Sequence, residues 1–109
     1  MNLFPQRFTI RDKSISPGTV LAPMAGVTDT VFRRMIRGLG ACGLIMTEFT
    51  SAECITRNAA RTSRYLFFEA DEHPITGQLF GADPQVMARA AGIVEELGFD
   101  IVDINLGCP

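Results

Sequence analysis

Apolar residues along this chain gather in four short runs, separated by stretches where they recur at three- and four-residue spacing. The first run, Val20 to Pro23, is closed by the turn-prone Ala25-Gly26-Val27-Thr28-Asp29, in which Thr28 or Asp29 supplies a helix cap. Beyond it Val31, Phe32, Met35, Ile36 and Leu39 form one stripe, Arg33, Arg34 and Arg37 fall largely off it, and Gly38 and Gly40 end it. This pattern predicts a helix whose apolar face packs on a sheet. Leu44-Ile45-Met46 reads as a second strand, apolar throughout as a strand covered on both faces should be, and it runs into the polar Thr47-Glu48. Ser51 to Tyr65 reads as helical.

Ile75 to Phe80 is the third strand, opened by Pro74, where a missing N–H is tolerated. Asp83-Pro84 then gives an N-cap and first-turn proline, Val86, Met87, Ala90, Ala91, Val94 and Leu97 make a helical stripe, and Gly98 suits the position after the helix. Ile101 to Asn105 is the fourth strand, followed by a turn, Leu106-Gly107-Cys108-Pro109.

Strands alternating with helices predict an α/β protein with a parallel sheet. Strand starts recur every 24 to 31 residues, the length of one βα unit with short loops. Two architectures fit that spacing: an open doubly wound sheet, or the first half of a (β/α)₈ TIM barrel with about four parallel strands. A doubly wound sheet would place a Gly-rich phosphate turn after its first strand, and Ala25-Gly26-Val27-Thr28 lacks the G-x-G-x-x-G pattern. The barrel accounts better for Pro23-Met24, Glu48, Gln78 and Asn105 to Cys108, which all fall at carboxyl ends of strands, where barrel enzymes assemble their sites. A whole barrel needs roughly 250 residues. Residues 1–109 would form only its N-terminal portion, and with two sheet edges left unpaired the natural protein is expected to be longer.

Composition narrows the classes. An apolar content of 47% is that of a globular chain, and no run approaches the roughly 18 apolar residues of a membrane span. With no signal-peptide core in the first sixteen residues, a cytoplasmic location is expected. The three cysteines, Cys42, Cys54 and Cys108, show no paired or zinc-like spacing, so neither disulfide nor metal is expected. Cys42 and Cys54 read as small apolar fillers, and His73 as a surface residue. A net charge of −2 gives no basic field for nucleic acid. Arginine's planar fork nevertheless suits phosphate, and Arg57, Arg61 and Arg64, spaced i, i+4, i+7, would share one helical face, either toward a phosphate backbone or toward solvent.

Read from the residues alone, Met24 fits core packing, Gln78 an ordinary strand-end amide, and a lone Cys108 beside proline a turn. Three segments together say more. Leu21-Ala22-Pro23-Met24-Ala25-Gly26-Val27-Thr28-Asp29 resembles the opening strand and loop of tRNA-dihydrouridine synthases, Gln78-Leu79-Phe80-Gly81 their third-strand segment, and Val102-Asp103-Ile104-Asn105-Leu106-Gly107-Cys108-Pro109 their active-site signature. The resemblance spans about residues 18 to 109.

The resemblance implies an FMN-binding barrel that reduces uridine to 5,6-dihydrouridine in tRNA, with NADPH as reductant. It implies that Pro23, Met24 and Ala25 lie against the flavin, that Gln78 bonds its pyrimidine edge, that Asn105 contacts the target uracil and that Cys108 protonates it. Glu48 is a candidate for the substrate pocket, and Asp103, which shares strand parity with Asn105, for a polar network inside the barrel. Another FMN barrel acting on a small molecule, of the dihydroorotate-dehydrogenase or ene-reductase kind, is the alternative enzyme class, and an inactive fragment the non-enzymatic one. Gly77 departs from the family pattern, which places an apolar β-branched residue there. The later-strand lysine and histidine, the FMN phosphate loops and the helical tRNA-binding domain of such enzymes have no counterpart in residues 1–109.

Overall fold

The computed structural model describes residues 3–58, 60 and 65–107. It opens with a hairpin that the apolar pattern did not announce. β1 (Phe8–Ile10) and β2 (Lys13–Ile15) pair antiparallel around Arg11-Asp12, with Arg11 at φ 52°, the left-handed conformation such a two-residue turn requires. Ile15 at its end is fully buried.

The main sheet is parallel. β3 (Val20–Leu21), shorter than the expected Val20–Pro23, pairs with β4 (Leu44–Met46), and β4 pairs with β6 (Ile75–Phe80). β5 (Thr50–Ser51) pairs with the far end of the same edge of β6, while β7 (Ile101–Ile104) takes the other edge. β4 and β5 are thus one interrupted strand, and the sheet has four positions in sequence order. Met46 pairs with Thr76 and Thr50 with Leu79, so four steps along this strand match three along β6. The extra residue is a bulge, which breaks the alternation of faces at Thr47-Glu48-Phe49. Thr47 keeps it hydrogen-bonded: its N–H donates to the Thr76 carbonyl (2.9 Å) and its Oγ1 accepts from the Gln78 N–H (3.2 Å).

Helices follow the strands, among them α1 (Thr30–Gly38), α2 (Ala52–Arg57) and α3 (Pro84–Glu96). These three lie on one side of the sheet. Ile36 of α1, Ala52 and Ile55 of α2, and Ala90 and Val94 of α3 meet Leu21, Ile45, Ile75 and Leu79 in one apolar core. Helices on a single face of a sequentially ordered parallel sheet make the architecture of the first half of a (β/α)₈ barrel, and a doubly wound sheet, covered on both faces, does not fit. Among the described residues no helix is long and apolar enough to cross a membrane.

α3 is seated by close packing. Asp83 caps it by accepting from the N–H groups of Gln85 and Val86, and Gly98 leaves it at φ 97°. A Cβ on Gly77 would come within 2.7 Å of Val94 Cγ1 and 3.4 Å of the Phe99 ring. The glycine therefore does not merely weaken β6, as its departure from the family pattern implied; it lets α3 approach the strand.

α1 is seated differently, and here the sequence expectation is reversed. Asp29 caps it, but Val31, Met35 and Leu39 of the apolar stripe are 56–73% exposed, and Arg33, expected off the stripe, is only 3% exposed. The Arg33 guanidinium donates through Nε to Glu72 Oε1 (2.6 Å) and through its terminal nitrogens to the carbonyls of Thr28 (2.9 Å) and Phe67 (2.8 Å). Glu72 ends a 3-10 turn (Ala70–Glu72), is fully buried, and accepts also from Thr30 Oγ1 (2.7 Å) and the Glu69 N–H (2.8 Å). Arg37 adds bonds to the carbonyls of Gly43, Glu72 and Pro74, and Arg34 pairs with Asp71. These three arginines brace α1 against the segment entering β6, Arg33 and Arg37 from within and Arg34 at the surface.

Two further expectations change. The segment Ser51 to Tyr65 is not one helix: α2 ends at Arg57, and Asn58 leaves the helical conformation at φ −153°, ψ 81°. Arg57 pairs with Glu53 on the surface, and Arg61 and Arg64 lie outside the described residues. Cys42 is a buried filler as expected, but Cys54 is exposed.

Candidate active site at the carboxyl rim

Side chains alternate along β6, so Ile75 and Leu79 enter the helix-side core while Thr76 and Gln78 take the opposite face, the interior of the half-barrel. In-register pairing places Asp103 beside Gln78 there, and Asn105, two residues on, follows at the rim. The three side chains form one network. Gln78 Nε2 donates to Asp103 Oδ2 (2.6 Å), Asn105 Nδ2 donates to Gln78 Oε1 (3.4 Å), and Asn105 Oδ1 accepts from the Gly107 N–H (2.8 Å). Gln78 is 7% exposed, and its Nε2 also lies 4.0 Å from Met46 Sδ. The polar interior network expected from the parity of Asp103 and Asn105 is therefore present. Cys108, the expected proton donor, lies outside the described residues, one position beyond the Gly107 that this network anchors.

The second part of the rim is the loop after β3. Met24 is its pivot: its carbonyl accepts from the N–H groups of Val27 and Thr28 (both 3.0 Å), and its own N–H donates to Thr28 Oγ1 (2.9 Å). Thr28 is fully buried beneath the loop, which leaves the Met24 side chain half-exposed and Ala25 exposed above it. Met24 is thus not a core residue. Gly26 turns the chain at φ 76° and its N–H donates to Glu48 Oε2 (2.8 Å). The bulge between β4 and β5 gives Glu48 this reach. Glu48 is accordingly a brace for the Met24 loop; nothing in the sequence signalled that, because the extra residue shows only in the pairing register.

Beyond its 2.6 Å bond to Asp103 and the long 3.4 Å one from Asn105, the Gln78 amide has a second N–H that meets only the Met46 sulfur at 4.0 Å and a further lone pair, and Met24 offers an apolar surface at the same end of the sheet. A donor–acceptor amide edge with a flat apolar neighbour suits a heteroaromatic ring such as a flavin. An apolar cleft of about 410 Å³, lined by Phe49, Cys54, Arg57 and Tyr65 among others, lies beside β5 and α2 rather than at this network.

At the opposite, amino end of the sheet, Asp100 gathers His73 Nδ1 (2.6 Å), the Ile75 N–H (2.8 Å) and Lys13 Nζ (3.5 Å). His73 is exposed as expected, yet not idle. Burial pushes the Asp100 carboxyl up, but the His73 and Ile75 hydrogen bonds and the His73 and Lys13 charges outweigh it and hold the carboxyl below its ordinary value.

A family model described as dihydrouridine synthase (Dus) matches residues 20–109. The chain belongs to the dihydrouridine synthase family. Its similarity to the tRNA-dihydrouridine synthase B of Pseudomonas syringae pv. tomato is 42% identity over 96 residues, covering 88% of this chain and 28% of that protein. The corresponding protein of Pseudomonas putida is 41% identical over 103 residues, 94% of this chain and 29% of its own length. The tRNA-dihydrouridine(20/20a) synthase of Synechocystis is 40% identical over 98 residues, 90% of this chain and 28% of its own. The chain thus spans under a third of the length of the dihydrouridine synthases it matches, and its rim network lies wholly within the family match.

Proposed function

We propose that this chain is the N-terminal portion of an FMN-binding barrel domain in a cytoplasmic enzyme that reduces a uridine of tRNA to 5,6-dihydrouridine, with NADPH as reductant. The observation that carries this reading is the interior network of Gln78, Asp103, Asn105 and Gly107 at the carboxyl rim, in a chain of the dihydrouridine synthase family. When bound, FMN supplies the hydride that uracil receives at C6. Gln78 offers its remaining N–H and lone pair to the pyrimidine edge of that ring, while Pro23, Met24 and Ala25 form its contact surface. Asn105 holds the target uracil, whose base leaves the tRNA stack to reach so recessed a site.

Hydride at C6 leaves negative charge on C5 and O4, so a proton must reach C5. Cys108 donates it. A thiol with the ordinary pKa of about 8.5 is protonated at neutral pH yet acidic enough to transfer. The bond from the Gly107 N–H to Asn105 supports the assignment, because it ties the residue before Cys108 to the side chain that faces the base.

The test is single-turnover reoxidation of the pre-reduced full-length enzyme by tRNA. Cys108→Ala should bind FMN and accept electrons from NADPH normally, but lose about 10²–10⁴-fold in reoxidation, the usual contribution of a general acid. Reoxidation at the wild-type rate with dihydrouridine formed would remove Cys108 from the chemistry; a wild-type enzyme that holds no FMN would remove the reading itself.

A further inference from the structure

The rim network has a direction. Each hydrogen bond in it points the same way: Gly107 N–H to Asn105 Oδ1, Asn105 Nδ2 to Gln78 Oε1, Gln78 Nε2 to Asp103 Oδ2. Its two ends have no choice of polarity. A backbone N–H can only donate, and a carboxylate can only accept. The two amides between them could each be turned through 180° with little change of shape, so only their partners decide which way they sit. Turning Gln78 would set its oxygen against the Asp103 carboxylate; turning Asn105 would set its NH₂ against the Gly107 N–H. The central link is long at 3.4 Å, whereas the two outer links are 2.6 and 2.8 Å, so the ends hold the amides and the middle follows.

We propose that Asp103 is a positioning residue, which fixes the orientation of the Gln78 amide and, through Asn105, the polarity of the whole relay to the Gly107 loop. The inference rests on the flavin reading for its ligand, though not for the relay itself. Its consequence is specificity. A flavin's pyrimidine edge alternates acceptor and donor, as uracil's does, and an amide held in one orientation matches that order in one pose only. With the amide free to turn, half of its orientations would set oxygen against oxygen. In-register pairing of Asp103 with Gln78 on adjacent strands makes the contact a property of the sheet rather than of a mobile loop.

Two measurements on the full-length protein test this. In the first, without ligand, the side-chain amide resonances of Gln78 and Asn105 are followed by ¹⁵N NMR in wild type and in Asp103→Asn, which keeps the shape but can donate as well as accept. The relay requires the Asn105 signal to move as well as that of Gln78, although the bonds of Asn105 go to Gln78 and Gly107. An unmoved Asn105 signal overturns the relay. In the second, FMN is titrated into wild type, Asp103→Asn and Asp103→Leu, with binding and the flavin absorption bands both recorded. The expected order is wild type, Asn, Leu, with the Leu variant about tenfold weaker, a loss of the size that one misplaced hydrogen bond produces, and its bands shifted. Should the Leu variant fail to fold, the Asn variant alone must show weaker binding and shifted bands. Folded variants with wild-type affinity and spectrum overturn the positioning role. Wild-type protein that shows the NMR coupling but takes up no FMN supports the relay and sinks the flavin reading instead.

Discussion

Helices α1 and α3 cover the same sheet by opposite means. α3 lies close on β6 through Val94, Ala90 and the space left by Gly77, a contact of apolar surfaces without polar groups to satisfy. α1 sends one apolar side chain, Ile36, toward the core and otherwise holds on through Arg33 and Arg37, whose nitrogens reach the Glu72 carboxylate and the backbone carbonyls of Thr28, Phe67, Cys42, Gly43, Glu72 and Pro74. An apolar contact fails gradually as methylenes are removed, whereas a buried ion pair fails when either partner goes, since the other is left charged without water.

That difference is sharpest in single and double substitutions of the ion pair. Arg33→Ala strands the Glu72 carboxylate and should cost about 3–5 kcal/mol, read by urea denaturation. Arg33→Met combined with Glu72→Leu removes both charges and should cost far less than the sum of the singles. If the double variant is as damaged as that sum, the seat of α1 rests on the arginine's bonds to Thr28 and Phe67 and not on the ion pair.

On the α3 side the corresponding probe is overpacking. Gly77→Val drives a branched side chain into Val94 and Phe99, and a loss of about 1–3 kcal/mol is expected from the melting of the variant. Pairing it with Val94→Ala should recover part of the loss by making room, and no recovery would mean that Gly77 serves backbone conformation instead of helix approach.

How the two helices read in the sequence follows from the same contrast. α3 is legible from end to end because its cap, first-turn proline, apolar period and closing glycine are local; β4 is legible as an uninterrupted apolar run, and β6 as a run opened by Pro74 and closed by Leu79-Phe80. The face of α1 is hidden from periodicity, which assigns arginine to solvent, and a buried arginine declares itself only through acceptors some forty residues away in the chain, such as Glu72. The hairpin β1–β2 escaped notice for want of an Asn-Gly or Asp-Gly turn, Arg11 taking the left-handed position instead. At the rim, the parity of Asp103 and Asn105 did foretell a network, while the Glu48 brace depends on a register shift that no single segment encodes.

A milder test concerns the carboxylate under the sheet. Because the Asp100 pKa is lowered in the folded state, the unfolded chain binds more protons as the medium is acidified. The stability this group contributes is whole above the ordinary aspartate value of about 3.9 and disappears as pH falls through the lower folded value. Asp100→Asn should cost about 1 kcal/mol at neutral pH and flatten the acid limb of a stability–pH curve; an unchanged acid limb would show that other carboxylates govern it.

The smallest effect is expected on the outer stripe of α1. Val31→Thr or Met35→Gln in the 109-residue chain should shift stability by no more than about 0.5 kcal/mol, as exposed positions do. A loss of several times that, in the chain or in the full-length protein, would mean that something covers the stripe and that α1 too is held by apolar contact.

The bulge between β4 and β5 has a consequence for anyone exchanging parts between dihydrouridine synthases. Removing one residue from Thr47-Glu48-Phe49 would make three steps match three, so Thr50 and Ser51 would keep Leu79 and Phe80 as partners, but the bulge would vanish and with it the reach of Glu48 to Gly26. A chimera that aligns well residue for residue could still fail here for want of one position. The unit of transfer is therefore the pair of segments Pro23–Thr28 and Met46–Ser51 taken together, with their lengths preserved before their identities.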